Sequence, residues 1–173
     1  MKIARRRFIQ AGLAGTALLV SVRWIDRAGH AWAAPASTLT PGATEVIRAL
    51  VPVVLAGALP AEPPMRAKAI QETVEAFGRA VGGLAPAIQE EIAQMLSLLS
   101  FTPTRLAMTG ITSSWPAAPA ADIAAFLEDW RRSRFELKRA GYRALTQLIQ
   151  GSWFDNPMAW PLVGYPGPPT LSP

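Results

Sequence analysis

Apolar residues recur at steps of three and four through most of this chain, with Pro and Gly as punctuation, and that spacing predicts helices. Ile47, Leu50, Val51, Val54 and Leu55 give a first helix a wide apolar face. Thr40 is placed to cap it and Pro41 to occupy its first position, and it should close before Gly57. Pro52 lies inside and is expected to kink it. Pro60, Pro63 and Pro64 then form a rigid connector. A second helix is predicted from about Met65 to Val81, with Ile70, Val74, Phe77 and Val81 on one face. A third runs from about Pro86 to Ser100, with Ile88, Ile92, Met95, Leu96 and Leu99 inward, and Gly82-Gly83 reads as the turn before it. Thr102-Pro103 opens a short helix that reaches about Met108 and is ended by Gly110.

After a Ser/Ala/Pro loop holding Trp115 and Pro116, one long helix is predicted from about Ala120 to Gln150. Ile123, Phe126, Leu127, Trp130, Leu137, Gly141, Leu145 and Leu148 keep steps of three, four or seven along it. Phe135, Tyr142 and Ile149 add a second stripe, so the helix is expected to be covered on two sides. Arg131, Arg132, Arg134, Lys138, Arg139 and Arg143 fall mostly outside the stripes. They read as a solvated face paired with Glu128, Asp129 and Glu136, with a docking surface as the alternative. No useful β-alternating run and no fixed-period repeat occurs. The expected fold is all-α: a small bundle of about four to five helices with an extended Pro/aromatic C-terminal tail.

From Gly151 the pattern changes. Pro157, Pro161, Pro166, Pro168 and Pro169 oppose a helix, and Gly164 and Gly167 allow sharp turns. Trp153, Phe154, Trp160 and Tyr165 concentrate aromatic area there, for packing across the bundle, for a partner, or for both. Trp153 and Phe154, directly after the long helix, are expected to be structural, and Trp160 and Tyr165 to face a partner.

The other end reads differently again. Lys2 and Arg5-Arg6-Arg7 precede the uncharged apolar run Ala11 to Val22. That run covers only ~18 Å as a helix, against ~30 Å of bilayer hydrocarbon. Arg5, Arg6, Phe8 and Ile9 resemble the recognition motif of a twin-arginine (Tat) export signal, with Ala4 and Gln10 departing from the usual pattern. Ala31-Trp32-Ala33 forms an A-x-A cleavage site, so processing would leave Ala34 as the new N-terminus. The chain therefore divides into a leader (1–33), a helical domain (34–150) and a tail (151–173). The alternatives are an uncleaved N-terminal anchor and a chance basic–apolar start.

Setting the leader apart changes the charge. Of 17 basic and 12 acidic residues, six basic and one acidic lie in residues 1–33, so the remainder holds 11 of each. A neutral domain lacks the footprint of a nucleic-acid binder and leans towards association with other subunits. The chain has no Cys, and its single His, His30, lies in the leader. That excludes a Ser–His–Asp or Cys–His nucleophile, zinc sites built on Cys or His, iron–sulfur clusters held by Cys and c-type haem attachment. About 140 residues can fold without disulfides in an oxidising compartment. The carboxylate pairs Glu90-Glu91 and Glu128-Asp129 point about 100° apart on a helix and read as solvated faces. No catalytic, cofactor-binding or metal site is expected.

The tail Trp153-Phe154-Asp155-Asn156-Pro157, then Trp160, then Gly164-Tyr165-Pro166-Gly167-Pro168, resembles the C-terminal signature of the gluconate 2-dehydrogenase subunit 3-like family. Phe126-Leu127-Glu128-Asp129-Trp130-Arg131-Arg132-Ser133 and Tyr142-Arg143-Ala144-Leu145 are similar to its central helix. The chain lacks the longer Gly/Asn-rich insert before the second Trp. With the leader, the likeness covers roughly half the chain. It implies a non-catalytic small subunit that exports and supports a periplasmic FAD-dependent dehydrogenase of the glucose–methanol–choline (GMC) type. It further implies FAD in the large flavoprotein subunit, a c-type cytochrome as a third subunit, the Tat translocase as a transit partner, and membrane association through those partners. Trp160, Tyr165, Trp153, Phe154 and Trp130 are the candidate partner-binding residues. The alternatives are a stand-alone periplasmic binding protein or enzyme, and a transient assembly factor.

Overall fold

The computed structural model describes residues 39–167, and every regular element among them is helical. In chain order these are α1 (Pro41–Val54), α2 (Pro63–Gly82), α3 (Pro86–Ser100), α4 (Thr102–Thr109), a short 3-10 turn η1 (Trp115–Ala117), α5 (Ala120–Arg132), α6 (Glu136–Phe154) and a longer 3-10 segment η2 (Pro157–Val163). The all-α expectation holds, with more helices than the four or five expected.

Helix α1 is the centre of the bundle, touching α2, α3, η1, α5 and α6. Its start follows from local chemistry. The Thr40 hydroxyl accepts the Ala43 N–H at 3.2 Å, and Pro41 occupies a position whose N–H would have no helical partner. Val46, Ile47, Leu50 and Val51 are fully buried, each contributing on the order of 2 kcal/mol of apolar burial. From α2 the core takes Val74 and Phe77, and from α3 Ile92, Leu96 and Leu99. Ile88, expected inward, is 43% exposed in the first turn of α3.

Around η1 the aromatic residues form one chain of contacts. Phe126 sits edge-on between Trp115 and Trp130, with centroids 6.3 and 4.9 Å away. Each indole also has a carbonyl: Trp115 Nε1 donates to Leu99 O at 2.8 Å and Trp130 Nε1 to Met108 O at 3.1 Å. These bonds fasten η1 to α3 and α5 to the end of α4. They also satisfy donors that would be costly to bury unpaired.

The single long helix expected over Ala120–Gln150 is two helices. Ser133 (φ −61°, ψ 143°) and Phe135 (φ −84°, ψ 121°) are extended, with no Gly or Pro between them. Local side-chain bonds replace the missing helical ones: Ser133 Oγ accepts the Phe135 N–H at 3.2 Å, and Arg139 donates to Ser133 O at 2.6 Å. Tertiary packing favours the break. In a continuous helix Trp130 and Gly141 would stand ~16 Å apart, whereas here Gly141 lies against the Trp130 ring. The break also removes Phe135 and Leu137 from the stripes assigned to them, and both side chains project outward. Helix α6 then runs past the expected end at Gln150 to Phe154, so the tail begins later than Gly151.

Among the described residues the core runs from Ala43 to Ala159, within the compact unit Ala36–Pro173. Among the described residues no helix is long and apolar enough to cross a membrane.

Candidate partner-binding surfaces

The residues expected to mark a partner site divide sharply by burial. Trp130 and Trp153 are in the core, at 2% and 0% exposure, so neither can meet a partner in this structure. Trp130 is instead a packing hub, and Trp153 seats the end of α6 on the bundle. Phe154, expected to be structural, is 44% exposed because the next position on α6 points about 100° away from Trp153.

Beyond α6 the chain coils rather than extending. Asn156 is the pivot: its Oδ1 accepts the Met158 N–H at 2.9 Å and caps η2, while its Nδ2 donates to Glu72 on α2 at 2.7 Å. Pro157 follows at the first position of η2, where a missing N–H costs nothing. Ala159 is fully buried and holds η2 against the bundle. Trp160 is half-buried at the centre of a small knuckle. Its Nε1 donates to Phe154 O at 3.1 Å, its carbonyl accepts the Tyr165 N–H at 3.0 Å, and its ring meets Tyr165 edge-on at 5.4 Å. Gly164 (φ 66°) and Gly167 (φ 104°) take backbone conformations that favour glycine. A Cβ on Gly167 would come within 3.1 Å of the Trp160 ring.

The outer edge of this knuckle is apolar. Phe154, Leu162, Val163 and Tyr165 are each between 44% and 59% exposed. Leu162 and Val163 were not singled out from sequence. The available signal was their position between Pro161 and Gly164, at the end of the segment where the chain turns. Trp160, expected outermost, chiefly organises this edge, and Tyr165 is on it.

The second surface lies at the elbow between α5 and α6, beside an open depression of about 520 Å³ lined by Glu128, Asp129, Arg132, Arg134, Phe135 and Lys138. Its expected ion pairs are present. Arg131 makes a two-pronged contact with Glu128 at 2.7 and 2.8 Å, Arg132 also reaches Glu128, and Lys138 bonds Asp129 at 2.9 Å. Glu136 is shared by Arg139 and by Arg143, the latter at 2.6 Å. Hydrogen bonding from Arg131 holds the Glu128 carboxyl below its ordinary value, and Arg143 and Arg139 do the same to Glu136. Bonding to Glu128 in turn raises Arg131.

Glu90 and Glu91 are solvated on α3. Among the described residues no group of three or more His, Cys, Asp or Glu could hold a metal ion. Arg105 is the one buried residue of α4, and its Nε has no hydrogen-bond partner. The proposed export residues Arg5, Arg6, Phe8 and Ile9, and the cleavage residues Ala31, Ala33 and Ala34, lie outside the described residues. No family model, no curated protein and no solved structure matches the chain.

Proposed function

We propose that this chain is the non-catalytic small subunit of a periplasmic FAD-dependent sugar or alcohol dehydrogenase of the GMC type, and that it carries the folded flavoprotein through the Tat pathway. The observation that carries this reading is the tail. Its signature residues have separate physical roles: Trp153 anchors, Asn156 clips, Trp160 organises, and the glycines turn the chain. Their joint product is an exposed apolar edge of Phe154, Leu162, Val163 and Tyr165, suited to a subunit contact in which aromatic side chains dominate. The twin-arginine pattern ahead of the domain supplies the export half of the reading, and the flavoprotein supplies the FAD and the oxidation chemistry.

The test is co-expression with a leaderless GMC flavoprotein, followed by fractionation. Periplasmic FAD-containing large subunit should appear with the wild-type chain and disappear with the Arg5→Lys, Arg6→Lys double variant. Unchanged delivery by that variant would remove the Tat role. A large subunit that never co-purifies with the chain would remove the subunit role.

A further inference from the structure

The α5–α6 elbow combines two features that water alone does not favour. Leu137 is 82% exposed and Phe135 56%, at the point where the chain turns between helices. Around them stand Arg131, Arg132, Arg134, Lys138, Arg139 and Arg143, six cations against the three carboxylates Glu128, Asp129 and Glu136. Those carboxylates are already occupied by Arg131, Arg132, Lys138, Arg139 and Arg143. Arg134 has no carboxylate partner among the described residues, and its guanidinium lies 4.8 Å over the Phe135 ring.

The rest of residues 34–173 holds five basic and eight acidic residues, so a domain with no net charge carries +3 at the elbow and −3 elsewhere. That separation orients the domain with its elbow towards an extended negative surface.

We propose that the elbow seats this domain on an anionic phospholipid surface, with Phe135 and Leu137 entering the headgroup–acyl boundary and the surrounding arginines contacting lipid phosphate. Each half of the pattern matches one layer of that interface. Apolar side chains gain from the acyl boundary, and each cation near an anionic leaflet adds attraction that falls off within a Debye length. A stable protein interface buries ~800 Å² on each partner around an apolar centre. Two side chains at a turn are a small centre for that, while their basic surround matches phosphates spread over a plane. This seat is independent of any dehydrogenase partner.

The core is complete within residues 43–159, so the fragment 36–173 tests the elbow without the basic leader. It should sediment with phosphatidylglycerol-containing vesicles, remain free with pure phosphatidylcholine vesicles, and be released by added salt. Phe135→Ser with Leu137→Ser should cut vesicle binding about tenfold or more without lowering the melting temperature, since both side chains are already solvated. Arg131→Gln, Arg132→Gln and Arg134→Gln together should weaken it to a similar degree, on the order of tenfold or more. Three outcomes would overturn the proposal: no binding to the anionic vesicles, equal binding to neutral ones, or full binding by the folded Phe135→Ser, Leu137→Ser variant. If that variant keeps its lipid binding but loses a co-purifying protein, the elbow is a protein-docking face and the lipid seat is wrong.

Discussion

A Cβ placed on Gly141 would lie 2.6 Å from Cζ3 of Trp130 and 3.2 Å from Sδ of Met95, so the indole of α5 rests directly on the backbone of α6. Trp130 has little room to yield, being buried and held through Nε1 to Met108 O. Gly141→Ala should therefore destabilise by roughly 1–2 kcal/mol, overpacking outweighing the gain of about 1 kcal/mol in helix propensity. Gly151, also in α6, has no heavy atom within 4 Å of its hypothetical Cβ. Gly151→Ala should stabilise by about 0.5–1 kcal/mol. Thermal or urea melts of the two variants should move in opposite directions.

Asn156→Ala removes the cap of η2 and the bond to Glu72 in one step. A loss of about 1–2 kcal/mol is expected, most of it from the cap. Limited proteolysis should show new cleavage after Phe154 while α1–α5 stay protected. An unchanged digestion pattern would mean that Ala159 and Trp153 alone hold the tail.

Leu162→Ser with Val163→Ser changes only side chains that are more than half exposed. Helicity and melting temperature should stay nearly unchanged while recovery of the proposed flavoprotein partner falls at least tenfold, about 1.4 kcal/mol or more of binding. Trp160→Ala should reduce both, because its ring and Nε1 organise the knuckle. Equal recovery by the Leu162, Val163 variant would make the edge a bystander.

Acid should weaken the elbow. The carboxyls of Glu128 and Glu136 are held below the ordinary 4.5 by arginine hydrogen bonds. Their stabilisation is therefore whole above that value and is lost as pH falls through the lowered folded values, where the unfolded chain takes up protons first. The melting temperature should drop over that window in the wild type. It should drop less in the Glu128→Gln, Glu136→Gln variant. Because both groups are solvent-exposed, high salt should flatten the difference.

Arg105→Met should raise stability, by about 1 kcal/mol or more. It replaces a side chain that is 6% exposed, and whose buried Nε has no partner, with an apolar one of similar reach. A lower melting temperature would show that the guanidinium is engaged in a way its static contacts do not reveal.

Where structure was legible in the sequence, the signal was local. Thr40 and Pro41 mark a helix start because cap and fixed φ act within one turn. Gly110 marks an end because it takes φ 74°. Ion pairing around Glu128 and Glu136 followed from helical spacing, although the reach from Lys138 to Asp129 crosses the break. The break at Ser133–Phe135 carried no Gly or Pro. Its cause is the fit of Trp130 on Gly141, a tertiary contact that helical periodicity does not encode. Leu137 was displaced by that break, and Ile88, in the first turn of α3, shows that periodicity gives the phase of a helix and not which of its turns are covered. In the tail, the prolines did exclude an α-helix. Pro157 and Pro161 were still compatible with a 3-10 segment capped by Asn156, whose amide also reaches Glu72, 84 residues earlier.

That separation orders events in time as well as in space. On a growing chain α2 is made long before Asn156 exists, and the loop between them must close before Glu72 has a partner. The apolar edge can form only after synthesis has passed Tyr165 and the helices have assembled beneath it. A chain cut short before Asn156, or one whose α2 has not docked, has no such edge to present. The exposed edge of the tail is therefore completed only on helices made well before it.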